Sequence, residues 1–424
     1  MNGPEREDPE REDPGGGTGA PPAGESAEGT ASGGQLLREL LAASHLCPME
    51  GLPDLVRGRA ERAGLRGVTI YVADLQEELL RPLEGGIEGG PPDLRVEGTL
   101  AGRAFQSLEM LSSGGEGGWW VPLLDGTERL GVLWVDAGAA DERTRQDIRH
   151  LASMVALMLI SKRAYSDFYN RLVRTRPMHI AAEMSWNLAP PLTFATGDLV
   201  IGGVLEPAYE IAGDAFDYGL SGDVVRLAVF DAMGHDTSAG LTANLAVAAF
   251  RHSRRLGTGL AETSETIERV LIQEFGRAQR FATAILATLH IPSGVLTWVN
   301  RGHPPPVLIR GGRWKTTLSC PPAHPLGLDL GLPVRSCREQ LEPGDRVLLY
   351  TDGITEARSA AGEEFGLDRF TDLVIRHHAA GMPVPETLRR LVRDLLAYHD
   401  DRLQDDATVL LVEWRGAGHR RLLR

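Results

Sequence analysis

Val224-Val225-Arg226-Leu227-Ala228-Val229-Phe230-Asp231-Ala232-Met233-Gly234-His235 reads as a strand that runs straight into an aspartate and a glycine turn. Its β-branched and aromatic residues favour extended backbone, and Gly234 ends the run. The arrangement returns at Arg346 to Thr351, which leads into Asp352-Gly353. It is mirrored at Asp405-Asp406, which immediately precedes Ala407-Thr408-Val409-Leu410-Leu411. Gly213-Asp214 follows a further apolar run, Val200 to Leu205, with Asp217 three residues on. Taken one at a time, these aspartates are ordinary turn residues, since Asp-Gly and Asp at a strand end are common turn chemistry. Taken together, acids at the ends of buried strands can converge on one edge of a sheet.

Around these stretches, strand-like runs alternate with turns from about Asp198 onward. They include Ala282 to Ile291, Val295 to Val299, Pro306 to Arg310 and Thr408 to Glu413, with tight turns at Pro292-Ser293-Gly294 and Gly311-Gly312. Helical patterns lie at Ser238 to Arg255, Thr263 to Arg280, Asp368 to Ala379 and Pro385 to Tyr398. Consecutive strands with short turns predict antiparallel sheets, and grouped helices predict layers packed on them. The fold class expected is α+β, with an antiparallel β-sandwich flanked by helices over 195–416.

Upstream, residues 1–34 are rich in Gly, Pro, Glu and Ser and include a tandem repeat, Pro4-Glu5-Arg6-Glu7-Asp8 and Pro9-Glu10-Arg11-Glu12-Asp13. Such a segment buries too little apolar surface to offset chain entropy, which predicts a disordered tail. Residues 35–160 read as a second α/β unit. Its helices are expected at Gln35 to Ala43 and Leu52 to Ala63. Its strands are expected at Val68 to Val72, Trp119 to Leu123 and Leu130 to Val135, with a hairpin signal at Asp125-Gly126. Residues 141–174 read as one long helix with a heptad-like seam of Ile148, Leu151, Val155, Met158, Tyr165, Tyr169 and Leu172, in which Lys162 is the one polar position. The first half suits a helix packed on its own domain; the second is polar enough elsewhere to serve as a dimer stalk. Arg176-Pro177 breaks it, and a short helix, Met178 to Leu188, completes a linker over 161–194. Residues 417–424 form a basic tail.

The chain has 424 residues and a formal net charge of −14. That acidity argues against nucleic acid as a partner, because phosphate backbones attract basic surfaces. The N-terminus is acidic and lacks the apolar stretch of a signal peptide. The longest apolar run, Leu151 to Ile160, is half of the roughly 20 residues that a membrane span needs. Three cysteines, Cys47, Cys320 and Cys337, form no CxxC pair, and so sparse a set suits a reducing compartment. A cytoplasmic protein with no membrane partner is expected.

Hard divalent cations such as Mn2+ and Mg2+ prefer carboxylate, carbonyl and water oxygens. Asp214, Asp231, Asp352 and Asp405 together neutralise two such ions, whereas without metal their like charges repel in a low-dielectric cleft. Two ions sharing a water make a nucleophile near neutral pH, so no nucleophilic side chain is needed.

Five motifs occur in order: Ile211-Ala212-Gly213-Asp214-Ala215-Phe216-Asp217, Val229 to His235, Asn300-Arg301-Gly302-His303-Pro304, Leu349-Tyr350-Thr351-Asp352-Gly353-Ile354-Thr355-Glu356, and Asp405-Asp406-Ala407-Thr408. They resemble the PPM-type phosphatases of the SpoIIE/RsbU branch over about 195–414. The resemblance implies a Mn2+- or Mg2+-dependent protein serine/threonine phosphatase with two ions. Asp231 would bridge them, Asp214 and the backbone carbonyl of Ala232 would serve one, and Asp352 with Asp405 the other; Asp231 and Asp214 are the catalytic pair. It also implies a phosphorylated protein substrate, in this branch typically a STAS-fold anti-sigma-factor antagonist. Gly98-Thr99-Leu100-Ala101-Gly102-Arg103-Ala104-Phe105, with Val121-Pro122-Leu123 and Arg129 to Leu133, resembles a GAF domain. That implies a sensor controlling the phosphatase, or a dimerising spacer without ligand, and with the linker helices a homodimer.

Several residues keep two readings. Asp217 is a supporting residue near the metals or a turn residue, and Asp406 is a supporting polar residue. His235 suits a general acid or, preferably, a turn histidine, and His303 reads as structural. Arg301 stands where the family usually has alanine; its guanidinium suits phosphate, and a surface salt bridge is the plainer reading. Ala212 and Asp236 depart from the usual glycines without removing a ligand. A phosphatase-fold scaffold without catalysis is the competing function. A bifunctional kinase–phosphatase and a nucleotide cyclase are disfavoured, for want of chain after Trp414 and of a base-recognition motif.

Overall fold

Along Val224 to Ala232, Val225, Leu227 and Val229 enter one apolar core while Ala228 and Phe230 enter another. Side chains alternate across a strand, so a strand that is apolar on both faces must have a layer on each side. The computed structural model describes residues 28–84, 89–114, 118–138, 141–399, 403 and 405–416, with 28–33 as backbone only. It has two such layered units.

The first unit contains α1 (Glu28–Ser44), α2 (Leu52–Arg62), β1 (Gly67–Ala73), β2 (Leu79–Pro82), β3 (Leu94–Arg95), α3 (Leu100–Ser107), β4 (Leu111–Ser112), β5 (Gly118–Asp125), β6 (Glu128–Asp136), α4 (Glu142–Arg163) and α5 (Asp167–Val173). The strands form an antiparallel sheet in the order β3-β2-β1-β6-β5-β4. Ile70 and Leu133 face a core shared with α1, α2, α4 and α5, while Tyr71 and Val132 face α3. The disordered-tail expectation falls mostly on 1–27, outside the described residues, as do 417–424; residues 28–34 belong to α1.

The single long helix over 141–174 is corrected. α4 ends at Arg163, the chain turns, and Ser166 accepts a hydrogen bond from the Tyr169 amide to start α5. Tyr169 and Leu172 are buried in the first unit's own core, and Lys162 Nζ donates to the Ser44 carbonyl at 2.8 Å. Of the seam residues a stalk would offer to a partner, Tyr169 and Leu172 are thus consumed within the chain, and Tyr165 alone stays exposed. A heptad-like pattern identifies one apolar face and leaves open which surface covers it.

The second unit follows α6 (Ile180–Leu188). It contains β7 (Thr193–Ala195), β8 (Leu199–Glu206), β9 (Asp214–Ser221), β10 (Val224–Ala232), α7 (Thr237–Leu256), α8 (Leu260–Phe275), β11 (Ala282–His290), β12 (Val295–Arg301), β13 (Val307–Arg310), β14 (Trp314–Thr317), β15 (Ser336–Gln340), β16 (Asp345–Tyr350), α9 (Asp352–Thr355), α10 (Gly366–Ala379), α11 (Val384–Tyr398) and β17 (Ala407–Trp414). Two antiparallel sheets, β15-β12-β11-β10-β9 and β14-β13-β16-β17-β8-β7, sandwich a core that includes Phe216, Leu227, Val229, Trp298, Leu349 and Leu410. Helices α7 and α8 cover the outer face of the first sheet, and α10 and α11 that of the second. The expected sandwich with flanking helices is what the chain forms. β9, β14 and β15 had no sequence signal strong enough to mark them; β14 is exposed and carries no apolar alternation.

A disulfide joins Cys320 to Cys337, 17 residues apart. It does not fit the expectation of a reducing compartment, and the pairing arises because β15 returns alongside the start of its own loop. No helix among the described residues is long and apolar enough to cross a membrane.

Ion pairs connect the two units. Arg129, at the start of β6, pairs with Glu77 and, at 3.0 Å, with Glu386 on α11. Arg389 and Arg390 also pair with Glu386, while Arg389 and Arg393 reach Glu97 in the first unit.

Candidate active site

Strand parity places the acids. Phe216 points into the sandwich, so Asp214, two residues earlier, faces the same way and Asp217 faces the opposite way. Val229 points in, so Asp231 does too. Leu349 places Thr351, and Leu410 places Thr408 and Asp406, on the inner side of the second sheet. The corners entering β9, leaving β10, leaving β16 and entering β17 therefore meet at one edge between the sheets.

Hydrogen bonds fix that meeting. Asp231 lies directly across from Asp214 in the β9–β10 ladder. Thr351 Oγ1 donates to Asp214 Oδ2 at 2.6 Å and accepts from the Thr408 amide at 2.9 Å, linking both sheets through one hydroxyl. Asp406 Oδ2 accepts from the amides of Ala212, Gly213 and Asp214 at 2.9, 2.6 and 3.2 Å. Two glycines permit the approach: a Cβ on Gly213 would lie 2.6 Å from the Ala232 carbonyl oxygen, and one on Gly353 only 1.9 Å from that of Asp406. Asp352 opens α9, and exposed Asp405 accepts from the Asp406 amide through Oδ1 at 2.9 Å.

The electrostatics follow from this crowding. Burial, with Asp352 and Asp405 nearby, pushes the Asp231 carboxyl up to about 7. Burial together with Asp406 and Asp231 holds Asp214 well above the usual carboxylate range. Burial and Asp405 raise Asp352, and burial raises Asp406 despite its three amides. Among the described residues these acids have no positive partner at the site, and the donor set is all oxygen: carboxylates plus the Ala232 carbonyl. That set fits hard divalent cations. Among the described residues no three acidic, histidine or cysteine side chains stand close enough to grip one ion.

Other readings divide. Asp217 faces away from the corner and pairs with Arg251 and Arg254 of α7 at 2.7 and 3.1 Å, so it is neither a site residue nor a turn residue. Asp406 shapes the Asp214 corner through the backbone. Arg301 is neither exposed nor turned toward phosphate: it is 1% exposed and bonds the His324 carbonyl, Ser264 and Glu268 on the outer face. His235 is exposed on the turn, and Asp236 caps α7 by accepting from the Ala239 amide at 2.9 Å. Sequence reading missed Thr351 and Thr283. Thr283 faces Asp231 across the β10–β11 ladder, and its Oγ1 lies 3.3 Å from Asp231 Oδ2 and 2.6 Å from His303 Nδ1. Both threonines follow the inward parity of their strands, a signal available once the strands are known.

Comparison with known proteins places this unit. Residues 221–415 match the family model of stage II sporulation protein E, SpoIIE. Asp231, Asp352, Asp405 and Asp406 fall inside the match, and Asp214 just before it. The chain is 25% identical over 244 residues to protein IcfG of Synechocystis sp., covering 50% of this chain and 37% of that one. It is 24% identical over 218 residues to phosphoserine phosphatase RsbU of Bacillus subtilis, covering 50% of this chain and 63% of RsbU. The matches thus span less than two thirds of either relative. The crystal structure of the RsbU and RsbW domains of a Mycobacterium tuberculosis protein matches 52% of this chain and 62% of that one at 28% identity, with a TM-score of 0.45. With five motifs in order and an acid-lined corner between two sheets, the C-terminal half of the chain is a SpoIIE-type PPM phosphatase domain.

Proposed function

We propose that this domain is a metal-dependent protein serine/threonine phosphatase that uses two Mn2+ or Mg2+ ions. The observation that carries the reading is the set of acids at the sandwich edge that have no positive partner among the described residues. Asp231, Asp214 and the Ala232 carbonyl would hold one ion, and Asp231, Asp352 and Asp405 would hold the other. When bound, such a pair supplies an acidified water and polarises the phosphoryl oxygens. Thr351 orients the Asp214 carboxylate by donating to one oxygen, which leaves the other for ligation. Asp406 holds the Gly213–Asp214 backbone so that this carboxylate points to the corner. Exposed Asp405 and half-buried Asp352 form the side of the corner open to a protein-borne phosphate.

The substrate proposed is phosphoserine or phosphothreonine on a regulatory protein, of the anti-sigma-factor-antagonist class. The likeness to a phosphoserine phosphatase supports it. Control by the first unit, read as GAF-like, is supported by the ion pairs from Arg129 and Glu97 to α11, which packs on β8 next to the site strand β17. A homodimer through the linker would use its exposed apolar residues, Tyr165 in the turn before α5 and Ile180 at the start of α6. A cytoplasmic location is part of the same reading, in which the Cys320–Cys337 bridge would have to withstand a reducing environment.

The second reading, a non-catalytic scaffold, is favoured by the carboxylates not being closed on a common point among the described residues. Release of phosphate from a phosphoserine protein with Mn2+ separates the two. Native protein is expected to exceed Asp231→Asn by about 1,000-fold, as loss of several kcal/mol of transition-state stabilisation requires. Equal, Mn2+-independent rates would establish the scaffold.

A further inference from the structure

His303 is 4% exposed and makes four hydrogen bonds to three residues at the site edge. Its amide donates to Asn300 Oδ1 at 2.9 Å and its carbonyl accepts from Asn300 Nδ2 at 2.8 Å, which locks the turn that carries it. Its Nε2 lies 2.9 Å from the Tyr350 carbonyl oxygen, and its Nδ1 lies 2.6 Å from Thr283 Oγ1. A carbonyl only accepts, so Nε2 carries a proton. Burial pulls the imidazole down to about 4, so near neutral pH the ring has no second proton and Nδ1 is an acceptor.

The consequence lies at Thr283. A hydroxyl has one proton, and two acceptors compete for it: His303 Nδ1 at 2.6 Å and Asp231 Oδ2 at 3.3 Å. The shorter contact takes it. Asp231 Oδ2, 3.3 Å away, is then left without that proton. The same imidazole ties the first sheet, through Thr283 on β11, to the second, through Tyr350 on β16, across the edge where the acids are divided.

We propose that His303 is a positioning residue whose Nε2–H tautomer draws the Thr283 hydroxyl proton away from Asp231 and so reserves Asp231 Oδ2 for a divalent cation. The inference rests on the two-metal reading of the site. It goes beyond a merely structural histidine, because it assigns the ring a direction of proton donation that the cation site depends on.

Mn2+ titration by calorimetry, with nitrogen-15 NMR of the histidines in the cation-free protein, tests it. NMR should find His303 protonated at Nε2 and bare at Nδ1, assigned by the signals lost in His303→Asn. His303→Ala releases the Thr283 proton to Asp231 and should weaken Mn2+ binding about tenfold, the worth of one hydrogen bond to a charged group. Thr283→Val alone should leave the affinity near native, and adding it to His303→Ala should restore most of what that change lost, a rescue that a packing role would not give. A proton on Nδ1, a tenfold loss in Thr283→Val alone, or no rescue in the double variant would overturn the proposal; the first two apply even where His303→Ala does not fold. Asp231→Asn is the control: native Mn2+ affinity there would overturn the metal reading itself, while the NMR result would still decide the tautomer.

Discussion

Two buried clusters of acids in this chain behave in opposite ways. At α11, Glu386 is 2% exposed and sits among Arg129, Arg389 and Arg390. Burial alone would raise its carboxyl, yet the three guanidiniums hold it down at about 2. At the sandwich edge Asp231 is pushed up to about 7 and Asp214 is raised as well, because their neighbours are further acids. Among the described residues the chain supplies counter-charge in one place and none in the other. The first cluster is complete without a ligand and joins the two units. The second has no such partner among the described residues, as the proposed cation site requires, and counter-charge tells the two clusters apart more cleanly than burial or acidity does.

The largest expected break in that contrast is Glu386→Ala. It takes the shared carboxylate from Arg129 and Arg389, which keep only Glu77 and Glu97, and breaking such a buried network costs about 3 kcal/mol; urea unfolding would read it. The same carboxylate sets an acid limit. Its folded value lies below its unfolded one, so its contribution, about 3 kcal/mol by linkage, is present above the unfolded value of 4.5 and lost as pH falls toward about 2. Native protein should lose this increment on acid titration, and Glu386→Gln should not.

The second test adds what the sandwich edge lacks. Mn2+ at a hundredfold excess over its dissociation constant should stabilise the native chain by about 2.7 kcal/mol, read as a higher melting temperature. Asp231→Asn should show none of this gain. The smallest effect has the opposite sign to ordinary damage: without cations, Asp231→Asn removes like-charge repulsion and should raise stability by about 1 kcal/mol. A destabilised Asp231→Asn in chelator would mean that the corner is balanced without metal and would erase the contrast.

Much of the second unit was legible in the sequence. Strand and helix texture, the antiparallel order and the four strand-end aspartates all rest on local chemistry: period-two alternation, turn residues and acids at fixed positions. Where reading failed, the decisive contacts were long-range. Asp217 and Arg301 stand inside motifs beside site residues, yet each has the opposite parity and pairs with α7 or α8 instead. Thr351 and Thr283 look like unremarkable strand residues until a second sheet or a histidine comes within hydrogen-bond range. β9 carries two acids and a glycine, so its apolar signal is weak although it holds Asp214.

The sequence by itself determined which residues could ligate a cation and that they would stand at strand ends, because alternation and turn chemistry act within a few residues. Tertiary structure alone decided which of them share a corner, since that depends on how two sheets separated in sequence are laid against each other. It also decided that the heptad-like face of α4 and α5 is covered by the chain's own first core, that Cys320 meets Cys337, and that Glu386 receives Arg129 from another unit. Covering an apolar face or neutralising a buried charge lowers the free energy whatever surface provides it, so the pattern states the need and only the packed chain names the partner.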